Sequence, residues 1–123
     1  MGTARSALGR AGEERAIRHL ESIGYKVVER NFRCSSGEID AIAYDGSDLV
    51  FIEVKARRGT SFGYPSEAVD SLKQAKLIRS AEIYLADRNL GEVGARFDIV
   101  EVYFEKGKLV RIEVIKGAFM EDR

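Results

Sequence analysis

The stretch GEIDAIAYDGSDLVFIEVK (residues 37–55) holds two strongly apolar runs separated by Asp45-Gly46-Ser47-Asp48, the composition of a tight turn between two strands. A two-residue loop pairs Asp45 with Asp48, and a four-residue loop pairs Tyr44 with Leu49. Both closures give one register. Continued along the hairpin, it sets Asp40 opposite Glu53 and Glu38 opposite Lys55. Directly opposed side chains share a face, so these four point the same way. Ile39, Ala41 and Ala43 then share the other face with Val50, Ile52 and Val54, a clean apolar side.

Two carboxylates so placed have Cβ atoms about 4.5–5.5 Å apart and repel. The pair can be reconciled by keeping one carboxyl protonated, by Lys55, or by a cation bound between them. A divalent cation uses the geometry best, because Mg²⁺ or Mn²⁺ is satisfied by one or two carboxylates with water completing an octahedron. The plainer alternative is a set of cross-strand ion pairs, Glu38–Lys55 and Lys55–Asp40, on a solvated face. Ile42 and Phe51 lie on that same face and need cover, which weighs against it.

Outward from the hairpin, residues 4–23 carry apolar Leu8, Ala11, Ala16, Ile17, Leu20 and Ile23 at helical spacing, stopped by Gly24. Glu13 falls in line with Ile17 and Leu20 on the stripe that faces the sheet, whereas Glu14 lines up with Arg18 and Glu21 towards solvent. A glutamate on a buried stripe is costly unless paired. It either reaches the Asp40/Glu53 pair as a third acid or pairs with Arg10. Gly9 and Gly12 point to close approach by a partner or substrate backbone, or to a helix that starts only at Gly12.

Residues 25–33 read as a strand and 58–66 as a loop containing the only proline. Ser66 is the expected N-cap of a helix running to about residue 87, with Val69, Leu72, Leu77, Ala81 and Leu85 towards the core. Residues 95–105 and 108–116 form a hairpin around Lys106-Gly107. The order is helix, three strands, helix, two strands: a meander packed by helices, α+β or a mixed three-layer arrangement, within one domain over residues 1–123.

Composition excludes several classes. Twenty basic and twenty acidic residues cancel, so no global field favours nucleic acid. No apolar run approaches the roughly 20 residues that cross a membrane, and the charged N-terminus is no secretory signal. A single cysteine, Cys34, forbids an internal disulfide and fits a reducing cytoplasm; with only one histidine, His19, a tetrahedral zinc site is excluded. No Ser-His-Asp, Cys-His or phosphate-binding glycine loop competes with the carboxylates.

Asp40, followed after twelve residues by Glu53-Val54-Lys55, resembles the PD-(D/E)xK nuclease signature, with Ile39 where that name has proline. Over nearly its whole length, through GEIDAIA, FIEVKAR, EAVDSLKQAKL and RFDIV, the chain resembles the YraN-type bacterial proteins, themselves similar to archaeal Holliday-junction resolvases. The resemblance implies a mixed α/β, restriction-endonuclease-like αβββαβ core, a mixed sheet flanked by helices, with an extra C-terminal strand. It implies a nuclease acting on DNA rather than RNA, branched or damaged DNA included, with Mg²⁺ or Mn²⁺ as cofactor. Asp40 and Glu53 would be the metal ligands, Glu13 an outer or additional ligand, and Lys55 the group orienting or deprotonating water. Gln74 falls where some relatives carry a helical glutamine facing the site. Arg57, Arg58, Lys73 and Lys76, with loop residues Gly59, Gly63 and Tyr64, are candidates for holding the nucleic acid. Junction-cutting relatives act as dimers, so a homodimer is compatible. The contrasting expectation is a nucleic-acid-binding or protein-docking module that keeps the fold without useful catalysis.

Overall fold

The computed structural model describes residues 6–59, 69–91 and 93–119. Its elements follow the order α1 (Ala7–Ser22), β1 (Lys26–Cys34), β2 (Gly37–Asp45), β3 (Asp48–Arg58), α2 (Ser71–Asp87), β4 (Ala95–Glu105) and β5 (Lys108–Phe119). The five strands form one sheet in sequence order. The β1–β2, β2–β3 and β4–β5 pairs are antiparallel, and β3–β4 is parallel. A parallel pair needs a crossover, and α2 provides it. The sheet is therefore mixed, as the resemblance implies, and not an antiparallel meander throughout.

The helices cover opposite faces. Ala16, Ile17 and Leu20 of α1 pack with Ala41, Ala43, Val50, Ile52, Val100 and Val102. Leu77, Ala81 and Tyr84 of α2 pack with Ile42, Leu49, Phe51, Phe97 and Ile99. Central strands covered on both faces read as near-continuous apolar runs, which is why β3 and β4 show so little polar alternation.

Local chemistry sets the boundaries. Ser6 caps α1, its Oγ accepting from the Gly9 amide at 2.9 Å, so the helix begins well before Gly12. Gly12 is a point of contact within the fold rather than with a substrate: a Cβ there would lie 2.7 Å from the Ala56 methyl on β3. The second helix begins at Ser71, capped by Asp70, whose Oδ1 accepts from Lys73 N at 2.9 Å. Ser66 is thus not its cap; that residue, like Gly63, Tyr64 and the rest of the 60–68 segment, lies outside the described residues. The later start also explains Leu72, which is 67% exposed where the spacing predicts a core residue. Five residues before Leu77, it is rotated about 140° from the packed stripe. Lys106 and Gly107 both adopt positive φ, which two-residue hairpins of matching twist require. No helix among the described residues is long and apolar enough to cross a membrane.

Candidate metal centre

The hairpin register holds for five rungs, from Asp45↔Asp48 to Ala41↔Ile52, and then stops. The next position belongs to a side chain: Asp40 Oδ2 accepts from the Val54 amide at 2.8 Å. Beyond it β2 stays with β1, through Arg33↔Glu38 and Cys34↔Gly37, while β3 stays with β4 as far as Arg58↔Phe104. The sheet splits at Asp40. The expected oppositions of Asp40 to Glu53 and of Glu38 to Lys55 are not formed as rungs of the ladder; Glu38 pairs instead with Arg33 on β1 at 2.9 Å.

A second irregularity coincides with the split. Residues two apart on a strand share a face, yet Ile39 packs on the α2 side and Ala41 on the α1 side. On β1, Phe32 stacks edge-on against Tyr84 of α2, while Arg30 reaches Glu14 of α1 at 2.6 Å. Both strands change face at one rung, which holds Asn31 and Asp40 between the pairs Arg30↔Ala41 and Phe32↔Ile39. Asn31 has φ +54, the left-handed region. The prediction that Ile39 joins Ala41 and Ala43 fails here, because β2 changes face at Asp40, where its side chain takes the place of a rung.

The three acids come from α1, β2 and β3, each with its own partners. Glu13 is buried under α1 and accepts from Asn31 Nδ2 at 3.0 Å. Asp40, also buried, is held at the split by the Val54 amide. Glu53, 5% exposed, lies on the α2 face, where its Oε2 is 3.8 Å from Lys55 Nζ and 3.2 Å from Lys73 Nζ. Among the described residues no three carboxylate, histidine or cysteine side chains are grouped closely enough to enclose a metal. A hard cation that keeps most of its water needs only one or two carboxylates, as Mg²⁺ does.

The basic candidates divide. Arg57 is committed inside the fold: its Nε donates at 2.6 Å to Glu101, which is wholly buried. Taking that guanidinium away would leave an uncompensated buried charge. Lys73 reaches back to Glu53 from the first turn of α2, a contact that its helical spacing did not reveal. Arg58 and Lys76 are exposed. Gln74 donates its side-chain amide to the Val69 carbonyl at 3.0 Å, which supports the start of α2. Asn31, at the rung of the split, is a residue that sequence reasoning missed; an asparagine inside a strand, a setting that disfavours it, was the available signal.

The RFDIV segment has a separate, structural task. Asp98, 1% exposed, accepts from Tyr25 Oη at 2.6 Å, Arg96 Nε at 2.9 Å and the Gly117 amide at 3.0 Å. Arg96 also donates to Asp45 at 2.7 Å, tying the β2–β3 turn to β4. Burial, reinforced by the Asp98 carboxylate, holds the Tyr25 phenol far above its ordinary pKa, and the Arg96 hydrogen bond holds Asp45 below the usual carboxylate value.

Residues 12–102 match the model of the uncharacterised protein family UPF0102. The chain is 47% identical over 113 residues to a UPF0102 protein of Caldicellulosiruptor saccharolyticus, covering 91% of this chain and 96% of that one. It is 44% identical over 117 residues to one from Caldanaerobacter subterraneus, covering 94% and 96%. A UPF0102 protein of Frankia alni is 47% identical over 116 residues, covering 94% and 97%. The split sheet thus lies inside the segment that defines the match, and the chain belongs to the UPF0102 (YraN-type) family.

Proposed function

We propose that the chain is a metal-dependent nuclease hydrolysing phosphodiester bonds in DNA, with branched or damaged DNA as the substrate class. The observation that carries this reading is the split at Asp40. It supports the reading because Asp40 is held by the amide of Val54, the residue after Glu53, whose own carboxylate faces two lysine ammonium groups.

A bound Mg²⁺ or Mn²⁺ supplies charge neutralisation at the phosphoryl oxygens and activation of water. The chain's own residues do the rest. Asp40 and Glu53 hold the cation. Lys55, 35% exposed and two residues past Glu53 on the same face, orients the attacking water and offsets charge developing on the phosphate. Arg58 and Lys76 give the exposed positive charge that a phosphodiester backbone requires.

The test is cleavage of a panel of junction, flap, single-stranded and RNA substrates by purified protein with Mg²⁺ or Mn²⁺. Cleavage should vanish in Asp40→Asn and in Glu53→Gln. Activity persisting in both would refute the roles assigned. A second reading, a module that binds nucleic acid without useful catalysis, draws on the two lysine ammonium groups that face Glu53. Salt-dependent DNA binding with no cleavage under any metal would establish it instead.

A further inference from the structure

We propose that the cavity between the first turns of α1 and the β4–β5 hairpin is a subsite for an unpaired nucleobase, with the flanking phosphates on Arg58 and Lys106. This deepens the reading above and rests on its claim that the chain acts on DNA. The cavity measures about 500 Å³, within the range of ligand pockets. Ala7, Leu8, Ala11 and Phe104 give it an apolar lining, and Arg58, Lys106 and Glu105 supply its charges.

The sequence leaves this space open. Ala7 and Ala11 stand one turn apart on α1 and are both exposed, so only methyl groups occupy positions that longer side chains would fill. Gly59, at φ +84, turns the chain out of β3 while its amide donates to the Phe104 carbonyl at 2.8 Å. The parallel strands β3 and β4 stay paired as far as Arg58↔Phe104, so the cavity lies at their carboxyl ends, where open α/β sheets take ligands.

The charges select a polyanion. Arg58 and Lys106 are exposed, and neither is ion-paired with a described residue. No acid occupies the first turn of α1, whose amide end adds partial positive charge. Exposed cations around an apolar hollow match a nucleotide, in which a flat base to bury is joined to a charged phosphate. A second copy of this chain, with net charge zero, would gain little from the cations. A paired base stays in its stack, so the hollow favours strands whose bases are already unpaired, mismatched or damaged. Arg58 lies three residues beyond Lys55 on β3, about 10 Å along the strand. The cavity opens on the α1 side, with Leu8 and Phe104, whereas Glu53 lies on the α2 side. It therefore receives a part of the strand beyond the one held at the cation.

Fluorescence anisotropy in EDTA, which prevents metal-dependent cleavage, compares a short labelled oligothymidylate with an abasic strand of the same length. Wild type should prefer the oligothymidylate by about 5-fold or more. Ala7→Leu and Ala11→Leu fill the cavity from exposed helix positions. Each should melt within about 5 °C of wild type and lose most of the preference. Arg58→Gln and Lys106→Gln should weaken both strands by a similar factor. No preference in wild type, or a preference intact in both leucine variants, would overturn this inference alone. So would a dimer in sedimentation that Ala11→Leu dissociates, since a second copy would then be the occupant. The expected preference without cleavage under any metal would overturn the catalytic reading and leave the subsite. Binding of neither strand, with or without divalent metal, would overturn both.

Discussion

The Val54 amide donates to Asp40 Oδ2 at 2.8 Å at the point where the β2–β3 ladder ends. A side chain there stands in for a backbone carbonyl, so Asp40 both holds the split and faces it. The two tasks separate by substitution. Asp40→Asn keeps an acceptor for the amide and should fold close to wild type while losing divalent-cation affinity. Asp40→Ala leaves the Val54 amide without this acceptor and should lose a further 1–3 kcal/mol or so in urea denaturation. Equal stability of the two variants would contradict the hydrogen bond's structural part.

Gly12 is the point of closest backbone approach described between α1 and Ala56 of β3. A methyl added there would come within 2.7 Å of the Ala56 Cβ, an atom bonded to backbone that cannot swing aside. Overpacking costs about 1–3 kcal/mol, and the gain in helix propensity from glycine to alanine returns about 1. Gly12→Ala should therefore destabilise by roughly 1 kcal/mol. Gly9→Ala is the control: its nearest neighbour is the end of the Ser6 side chain at 3.2 Å, so stability should hold or rise. Chemical denaturation of both variants checks the contrast.

Much of this arrangement is legible in the sequence. The register of 41–45 with 48–52 follows from alternation and the turn, and Glu13 falls on its buried stripe by counting in helical turns. What could not be read has a common cause. Alternation assumes an unbroken strand, so a left-handed Asn31 and a side chain replacing a rung are invisible to it, and Ile39 is assigned to the wrong face. The Lys73–Glu53 contact joins residues on α2 and β3 whose spatial relation depends on the parallel β3–β4 crossover. That crossover is a property of topology, which local patterns carry only weakly.

On the proposed function, Lys73 and a divalent cation would compete for the same carboxylate, Glu53. At 3.2 Å from Glu53 Oε2, with its side chain 42% exposed, the ammonium is partly screened by water and its hold on the carboxylate is modest. Lys73→Met should accordingly raise Mn²⁺ affinity several-fold, read by calorimetry at low ionic strength, while weakening DNA binding at the same salt. Lys76→Met, on an exposed position of α2, should lower DNA binding and leave Mn²⁺ affinity unchanged. If both lysines behave alike, the Lys73–Glu53 pair has no bearing on the cation.

Alkaline stability should report the Tyr25–Asp98 contact. The folded state holds the Tyr25 phenol above its ordinary pKa of 10.0, first through burial and then through Asp98; burial also raises Tyr84 and Tyr103. For a raised group the sign is fixed. Below about pH 10 both states keep the proton and the contribution is fully present. Above it the unfolded chain releases protons that the folded chain retains, so stability falls with pH, by at most about 1.4 kcal/mol per pH unit for each tyrosine. Tyr25→Phe should cost about 1 kcal/mol at neutral pH through loss of its hydrogen bond. Asp98 keeps Arg96 and the Gly117 amide, so the cost stays small. Above pH 10 the variant's stability should fall less steeply than that of the wild type, narrowing the gap between them. Urea denaturation at intervals from pH 7 to about 11.5 decides the matter: curves that stay parallel throughout would mean that Tyr25 keeps no proton that the unfolded chain gives up.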